Sequence, residues 1–115
     1  MFITNSWYCV ERASEMSTLP FERIVCNEPI VFFQTAKSGI LVALENRCPH
    51  RQAPLSMGKV VGDEIMCIYH GWTMNSAGAC THVPHQDNVS SNAAVKSYPI
   101  AEKWGFVWVW IGDAT

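Results

Sequence analysis

The stretch ENRCPHRQAPLSMGKVVGDEIMCIYHGW, residues 45–72, contains two cysteines and two histidines in alternating order. They form two mixed pairs, Cys48 with His50 and Cys67 with His70. A site with four equivalent metal ligands would not need one thiolate and one imidazole in each of two separate segments. The order therefore indicates a site with two chemically different ends.

The composition indicates one domain, residues 1–115, with little net charge. Its length is sufficient for a hydrophobic core, and 8 Lys and Arg against 10 Asp and Glu give a formal net charge of −2. We therefore expect no nucleic-acid or membrane partner. The longest apolar run, residues 106–111, is too short to span a bilayer, and the N-terminus lacks an export signal, so we expect a cytoplasmic protein. Five cysteines in such a protein indicate thiols and metal ligands rather than disulfides.

Short strands separated by turn residues dominate the chain. The pattern predicts strands at residues 7–10, 30–34, 40–46, 60–61, 64–66, 72–74, 79–83, 96–98 and 106–111, with turns at 27–29, 37–39, 62–63, 75–78 and 104–105. Only residues 11–16 have the pattern of a helical turn. The chain is therefore predicted to be all-β and antiparallel. Both cysteine–histidine pairs follow the end of a predicted strand, so adjacent loops can bring them to one metal centre.

Two simpler interpretations of the four residues are weaker. Two Cys and two His can complete a tetrahedral zinc site, but the usual zinc spacings pair like with like, and C-x-H is an awkward half-site. Buried thiols and hydrogen-bonded histidines that bind no metal are the other alternative. Two mixed pairs, both in loops that contain Gly or Pro, are difficult to obtain by accident.

A two-iron cluster explains the mixed pairs better. In a Rieske centre two cysteines bind one iron and two histidines bind the other, so each loop supplies one ligand to each metal. With neutral imidazoles the oxidised cluster has no formal charge, whereas four thiolates leave it doubly negative. A neutral centre accepts an electron more easily, and potentials rise from about −400 mV to roughly −150 to +300 mV. We therefore predict that Cys48 and Cys67 bind one iron and that His50 and His70 bind the other.

The motifs CPHRQAPLSMG and CIYHGW resemble the Rieske motifs of the non-haem iron oxygenases, most closely those of the vanillate O-demethylase and phthalate dioxygenase type. The resemblance extends through NSWYCV, VVGDEI and YPIAEKWGFVWVWIGD to nearly the whole chain. We accordingly predict an antiparallel β-sandwich of the Rieske type, with a small cluster-binding subdomain at about residues 46–72.

The resemblance implies the N-terminal domain of an oxidoreductase. A reductase or ferredoxin would donate electrons, and a catalytic oxygenase domain, in the same chain or in a neighbouring subunit, would receive them. The mononuclear non-haem iron is expected only in a C-terminal domain, because no triad of two histidines and a carboxylate can be assigned here. His82 and His85 are interpreted as loop residues, so no catalytic residue is expected in this chain. The alternative is a free-standing Rieske ferredoxin between a reductase and an oxygenase.

Several positions differ from related motifs or have two interpretations. Ile68 stands where the family usually has proline. Respiratory Rieske proteins carry two further cysteines and a serine that donates to a sulfide, and the aligned positions here are Ala53, Tyr69 and Trp72. Tyr69 and Trp72 are expected either to shield the sulfides or to pack in the core. Arg51 is expected either to act beside the cluster or to pair with a carboxylate.

Two further expectations concern packing. The three remaining cysteines, Cys9, Cys26 and Cys80, are predicted to be buried apolar residues. The strand at residues 106–111, FVWVWI, is apolar on both faces. It therefore lies either in the centre of the sandwich or against something outside this chain.

Overall fold

The computed structural model describes residues 2–49, 53–68, 71–84 and 93–113. Within these ranges the chain forms ten strands, β1 Ser6–Arg12, β2 Phe21–Val25, β3 Glu28–Gln34, β4 Leu41–Glu45, β5 Lys59–Val61, β6 Glu64–Met66, β7 Thr73–Met74, β8 Cys80–His82, β9 Ile100–Lys103 and β10 Phe106–Ile111. Two short 3-10 helices lie at Ala13–Glu15 and Leu55–Met57. No helix in the described part of the chain is long and apolar enough to cross a membrane.

The strands form three antiparallel sheets. The outer sheet has the order β1-β10-β9, the middle sheet β2-β3-β4 and the third sheet β5-β6-β7-β8. Most neighbours are consecutive hairpin strands, which alternate in direction because short turns join them. The exception is β1, which pairs with β10 from the other end of the sequence.

The middle sheet is covered on both faces, as the side chains of β3 show. Ile30 and Phe32 belong to one buried cluster, together with residues of β10 in the outer sheet. Val31 and Phe33 belong to a second buried cluster, together with residues of the third sheet. All four side chains are fully buried, which explains why β3 contains a continuous apolar run instead of alternating apolar and polar residues. The outer and middle sheets form the predicted sandwich, and the third sheet is an additional small layer.

Two predicted strands have the bounds that the sequence pattern indicates, β6 at Glu64–Met66 and β10 at Phe106–Ile111. The strand predicted at residues 96–98 is wrong, because Ser97 forms only an isolated bridge with Leu44. The strands β2 and β9 were not predicted. Both lie at sheet edges, and their sequences, FERIV and IAEK, contain charged residues that hide the strand pattern. The helical turn predicted at residues 11–16 is shorter, a 3-10 helix at Ala13–Glu15, because Glu11 and Arg12 belong to β1. The second 3-10 helix, Leu55–Met57, was not predicted.

The turn predicted at residues 27–29 lies earlier in the chain. Cys26 and Asn27 have positive φ angles of 51° and 65°, and they join β2 to β3 as a two-residue hairpin turn. Glu28 and Pro29 already belong to β3. The carbonyl of Pro29 accepts a hydrogen bond from the backbone N–H of Asn46 at 3.0 Å, so this strand also holds the start of the first cysteine loop.

Candidate metal centre

Two loops beside the third sheet carry the predicted cysteine ligands. The first loop, residues 46–58, joins β4 to β5, and the second loop, residues 67–72, joins β6 to β7. Cys48 and Cys67 are 0% and 2% exposed, and both belong to the buried cluster between the middle and third sheets. The structure therefore brings the two thiols into one apolar environment. His50 and His70, the other two predicted ligands, lie outside the described residues.

Each cysteine closes its own loop through its backbone. The N–H of Cys48 donates to the carbonyl of Ala53 at 2.7 Å, and the N–H of Cys67 donates to the carbonyl of Trp72 at 2.6 Å. In both loops the bond spans the same sequence separation and encloses the position of a predicted histidine ligand. The two loops are thus closed in the same way, although their sequences differ.

A glycine is required at one position in each loop, Gly58 at the end of the first loop and Gly71 in the second. A Cβ atom at Gly58 would collide with the carbonyl oxygen of Met66, so only glycine allows the first loop to lie against β6. Gly71 has a φ of 71°, which a side chain would strain. The role of Gly58 cannot be identified from the sequence, because its contact is with Met66, a residue of another element.

A pocket of about 380 Å³ opens beside Cys67. Its lining includes Met57, Ile68 and Gly71, and the side chains of Met57 and Ile68 are 62% and 56% exposed. The edge of the second loop is therefore apolar and reachable from solvent. Ile68 replaces the family proline at this exposed edge.

A charged group precedes the first loop. Glu45 accepts hydrogen bonds from Arg47 Nε at 2.7 Å and from the backbone N–H of Lys96 at 3.1 Å. Partial burial by itself raises the pKa of Glu45, but these hydrogen bonds and the positive charges of Arg47 and Lys96 outweigh it, so the pKa lies below its usual value. The carboxylate therefore stays ionised at neutral pH and holds residues 45–47 to the segment that contains Lys96.

The chemistry of the two cysteines fits a metal cluster that needs thiolate ligands. Neither forms a disulfide in the described part of the chain, and the two loops follow β4 and β6 beside a packed core. Within the described residues, no group of three or more His, Cys, Asp or Glu could hold a metal ion. The two cysteines therefore represent the described half of the predicted ligand set.

Among the other candidate residues near the predicted site, the structure describes Trp72 and His82. Trp72 packs against the buried cluster of the third sheet, whereas Tyr69, Arg51 and His85 lie outside the described residues. His82 is exposed at the end of β8.

The prediction that the remaining three cysteines are buried is wrong for Cys9, which is exposed, and holds only in part for Cys26 and Cys80. Cys9 is exposed because its neighbour Tyr8, not Cys9, packs against the core from β1.

Comparison with known proteins decides the family. A sequence profile of the Rieske 2Fe-2S domain matches residues 6–99. The chain belongs to this family. The matched range includes both cysteine loops and the middle and third sheets. The Rieske domain therefore binds a 2Fe-2S cluster and transfers single electrons through it.

The Rieske domain has relatives among oxygenase components. It is 42% identical over 114 residues to the iron-sulfur subunit of a toluene-4-sulfonate monooxygenase system from Comamonas testosteroni, with 98% of this chain and 33% of the relative covered. It is also 42% identical over 113 residues to the vanillate O-demethylase oxygenase subunit of a Pseudomonas strain, covering 98% and 31%. The predicted resemblance to the vanillate O-demethylase type is confirmed.

A solved structure confirms the fold. The crystal structure of apo dicamba monooxygenase matches the Rieske domain with a TM-score of 0.91 at 34% identity, covering 97% of this chain and 35% of that one. The all-β antiparallel fold is thus that of the Rieske domain of an oxygenase. The chain spans about a third of the length of each of these relatives.

Proposed function

We propose that Cys48 and Cys67 bind one iron of the cluster and that His50 and His70 bind the other. The observation that supports this proposal is the position of the two cysteines. Both are buried in the same apolar cluster, on two loops closed by equivalent backbone hydrogen bonds. When bound, the cluster supplies reversible one-electron chemistry, and the apolar surroundings keep water away from its thiolate end.

We further propose that this Rieske domain is the N-terminal part of a non-haem iron oxygenase that acts on an aromatic or related substrate. Electrons would come from a reductase or ferredoxin and pass to a catalytic domain in the same chain or in a neighbouring subunit. The relatives support this proposal, because their names describe oxygenase components and their chains are about three times as long. The cytoplasm is the location that we propose, since such a system depends on soluble electron carriers.

The outer sheet gives a second line of support. Trp7, Trp104 and Trp108 line a groove of about 360 Å³ on its surface, and the side chain of Trp104 is 76% exposed. The indole N–H groups of Trp108 and Trp110 donate to the backbone carbonyls of Lys103 and Asp113 at 3.1 and 2.7 Å, so their aromatic rings form an apolar surface. A contiguous apolar surface is typical of an interaction site.

This surface favours the oxygenase interpretation over a free-standing ferredoxin. In an oxygenase, the large catalytic domain can cover the aromatic rings of the outer sheet permanently. In a free-standing ferredoxin these aromatic rings would be exposed to water whenever no partner is bound. Exposed apolar patches promote unwanted self-association of a protein. The two interpretations are separated by the coding sequence after Thr115. A reading frame that continues into two histidines and a carboxylate in a ligand pattern supports the oxygenase, and an immediate stop codon supports the ferredoxin.

The cluster itself is tested by metal analysis and EPR spectroscopy of the purified protein. We expect red-brown protein with about two iron and two sulfide per chain and, after reduction, the rhombic spectrum of a mixed-ligand centre. A colourless protein with one tightly bound zinc per chain would refute the assignment and support the structural zinc site.

A further inference from the structure

Asn46 is a buried polar residue whose side chain donates two hydrogen bonds and accepts one. It is 5% exposed and lies two positions before Cys48. Its Nδ2 donates to Ser56 Oγ at 2.9 Å and to Glu22 Oε2 at 2.7 Å, and its Oδ1 accepts from the backbone N–H of Ser56 at 2.7 Å. The backbone N–H of Asn46 donates to the carbonyl of Pro29 at 3.0 Å.

These bonds join the two ends of the first metal loop. Asn46 is at the start of the loop, and Ser56 lies ten residues later in the second 3-10 helix. Glu22 and Pro29, in β2 and β3, belong to the middle sheet. One amide side chain therefore holds the loop closed and fixes both of its ends to a sheet that is packed on both faces.

The bond from Cys48 to Ala53 lies inside this outer closure. Leu55, which is fully buried beside Ser56, anchors the same end of the loop in the core. The loop is thus closed at two levels, and the inner closing bond starts at Cys48 itself. Asn46 is the buried member of this network, whereas Ser56 is half-buried and Glu22 is exposed. Replacement of Asn46 by an apolar residue would remove three side-chain hydrogen bonds from the two ends of the loop.

We propose that Asn46 is a positioning residue of the first metal loop and holds Cys48 in its ligand position before the cluster is assembled. Asn46 acts through the loop backbone, not by contact with the cluster. The inference rests on the proposed role of Cys48 as a ligand. Its effect on loop structure, however, can be measured without any metal.

The first experiment compares Asn46→Leu with Thr35→Val in cluster-free protein. Thr35 is a matched control because it is 2% exposed and its Oγ1 also closes a loop, by accepting from the N–H of Ile40 at 2.8 Å. Trypsin can cut the metal loop after Arg47 and Arg51. At equal global stability, adjusted with stabilising osmolyte, we expect cleavage there to be about tenfold faster in Asn46→Leu and nearly unchanged in Thr35→Val. Equal cleavage rates in the two variants would overturn the proposal.

The second experiment uses the iron-loaded protein. Asn46→Leu is expected to shift the EPR g-values and to release iron to a chelator about tenfold faster than the wild type, whereas Thr35→Val should match the wild type in both. A purely structural role would lower stability alike in both variants and leave the spectrum unchanged. That result would overturn the positioning role.

A milder variant keeps the test decisive if Asn46→Leu does not fold. Ser56→Ala removes only the hydroxyl that accepts from Asn46 and retains the backbone N–H, so we expect about a threefold increase in loop cleavage and in iron release. Unchanged rates of loop cleavage and iron release in Ser56→Ala would contradict the proposed role of the Asn46 hydrogen bonds. If wild-type protein holds no iron, the proposed function fails, but the trypsin comparison still decides whether Asn46 holds the loop.

Discussion

The backbone N–H of Cys67 donates a hydrogen bond to the carbonyl of Trp72 at 2.6 Å, and this bond closes the second metal loop at its base. Cys48 and Ala53 form the same closure in the first loop. Because each closing bond starts at the cysteine itself, the position of each thiol is tied to the path of its loop. Changes at these cysteines should therefore affect metal binding more than changes at cysteines elsewhere.

Replacement of Cys67 by serine is expected to abolish cluster assembly, because the proposed thiolate end of the cluster would lose one of its ligands. Cys9→Ser is the matched control, since Cys9 is exposed on the outer sheet and far from this chemistry. Iron and sulfide analysis of both purified variants makes the comparison. Full iron and sulfide content in Cys67→Ser would contradict the ligand assignment.

The reduction potential should lie near the lower end of the Rieske range, on the order of −150 mV. Ala53 and Tyr69 occupy the positions where respiratory Rieske proteins carry the additional cysteines, and Trp72 occupies the position of the serine, so no disulfide can form there and the serine hydroxyl is replaced by an indole. Protein-film voltammetry at neutral pH measures it. A potential well above zero would mean that other donors surround the sulfides.

Gly58→Ala is expected to destabilise the protein and to impair cluster retention. The added Cβ would collide with the carbonyl of Met66, and the cost of such overpacking is about 1–3 kcal/mol. Gly62→Ala is the control, because Gly62 has a φ of 61° but open space around it, so alanine there causes only local backbone strain. Both variants should lose stability in urea, but only Gly58→Ala should also lose iron.

Glu45 should make the stability of the protein depend on acidity. Its pKa in the folded protein lies below the ordinary value of about 4.5, so its stabilising contribution is present above that pH and is lost as the pH falls through the folded-state pKa. Because the side chain is 30% exposed, the contribution is about 0.5–1 kcal/mol.

Urea unfolding of cluster-free protein between neutral and acidic pH, compared with Glu45→Gln, measures this contribution. The variant should be less stable at neutral pH, and the difference should shrink below about pH 4.5. A difference that is constant across the pH range would show that the charge of Glu45 plays no part.

The sequence was most informative where structure depends on local pattern. β6 and β10 have the predicted bounds because turn residues flank them, and the mixed cysteine–histidine pairs indicated the cluster before any fold was known. The edge strands β2 and β9 were missed because their stability comes from pairing with a neighbour rather than from an apolar pattern.

The supporting contacts of the site could not be predicted for a related reason. Asn46 forms hydrogen bonds with Ser56 and Glu22, and Gly58 lies against Met66. Each of these partners is distant in sequence and is a frequent type of residue. No local pattern distinguishes such an asparagine or glycine from one in an ordinary surface turn. Candidate ligands of a metal site can therefore be proposed from the sequence more easily than the residues that support them.

The pairing of β1 with β10 has a mechanical consequence. Ser6 lies opposite Ile111, so any polypeptide attached before β1 or after β10 joins the domain at the same end of the β1–β10 strand pair. Both metal loops lie between these strands in the chain, and the doubly packed middle sheet separates the third sheet from the outer one. Tension from an attached domain would be borne first by the hydrogen bonds of the outer sheet, in which β10 pairs with both β1 and β9. We therefore expect the two cysteine loops, on the far side of the middle sheet, to be shielded from movements of whatever the domain is joined to.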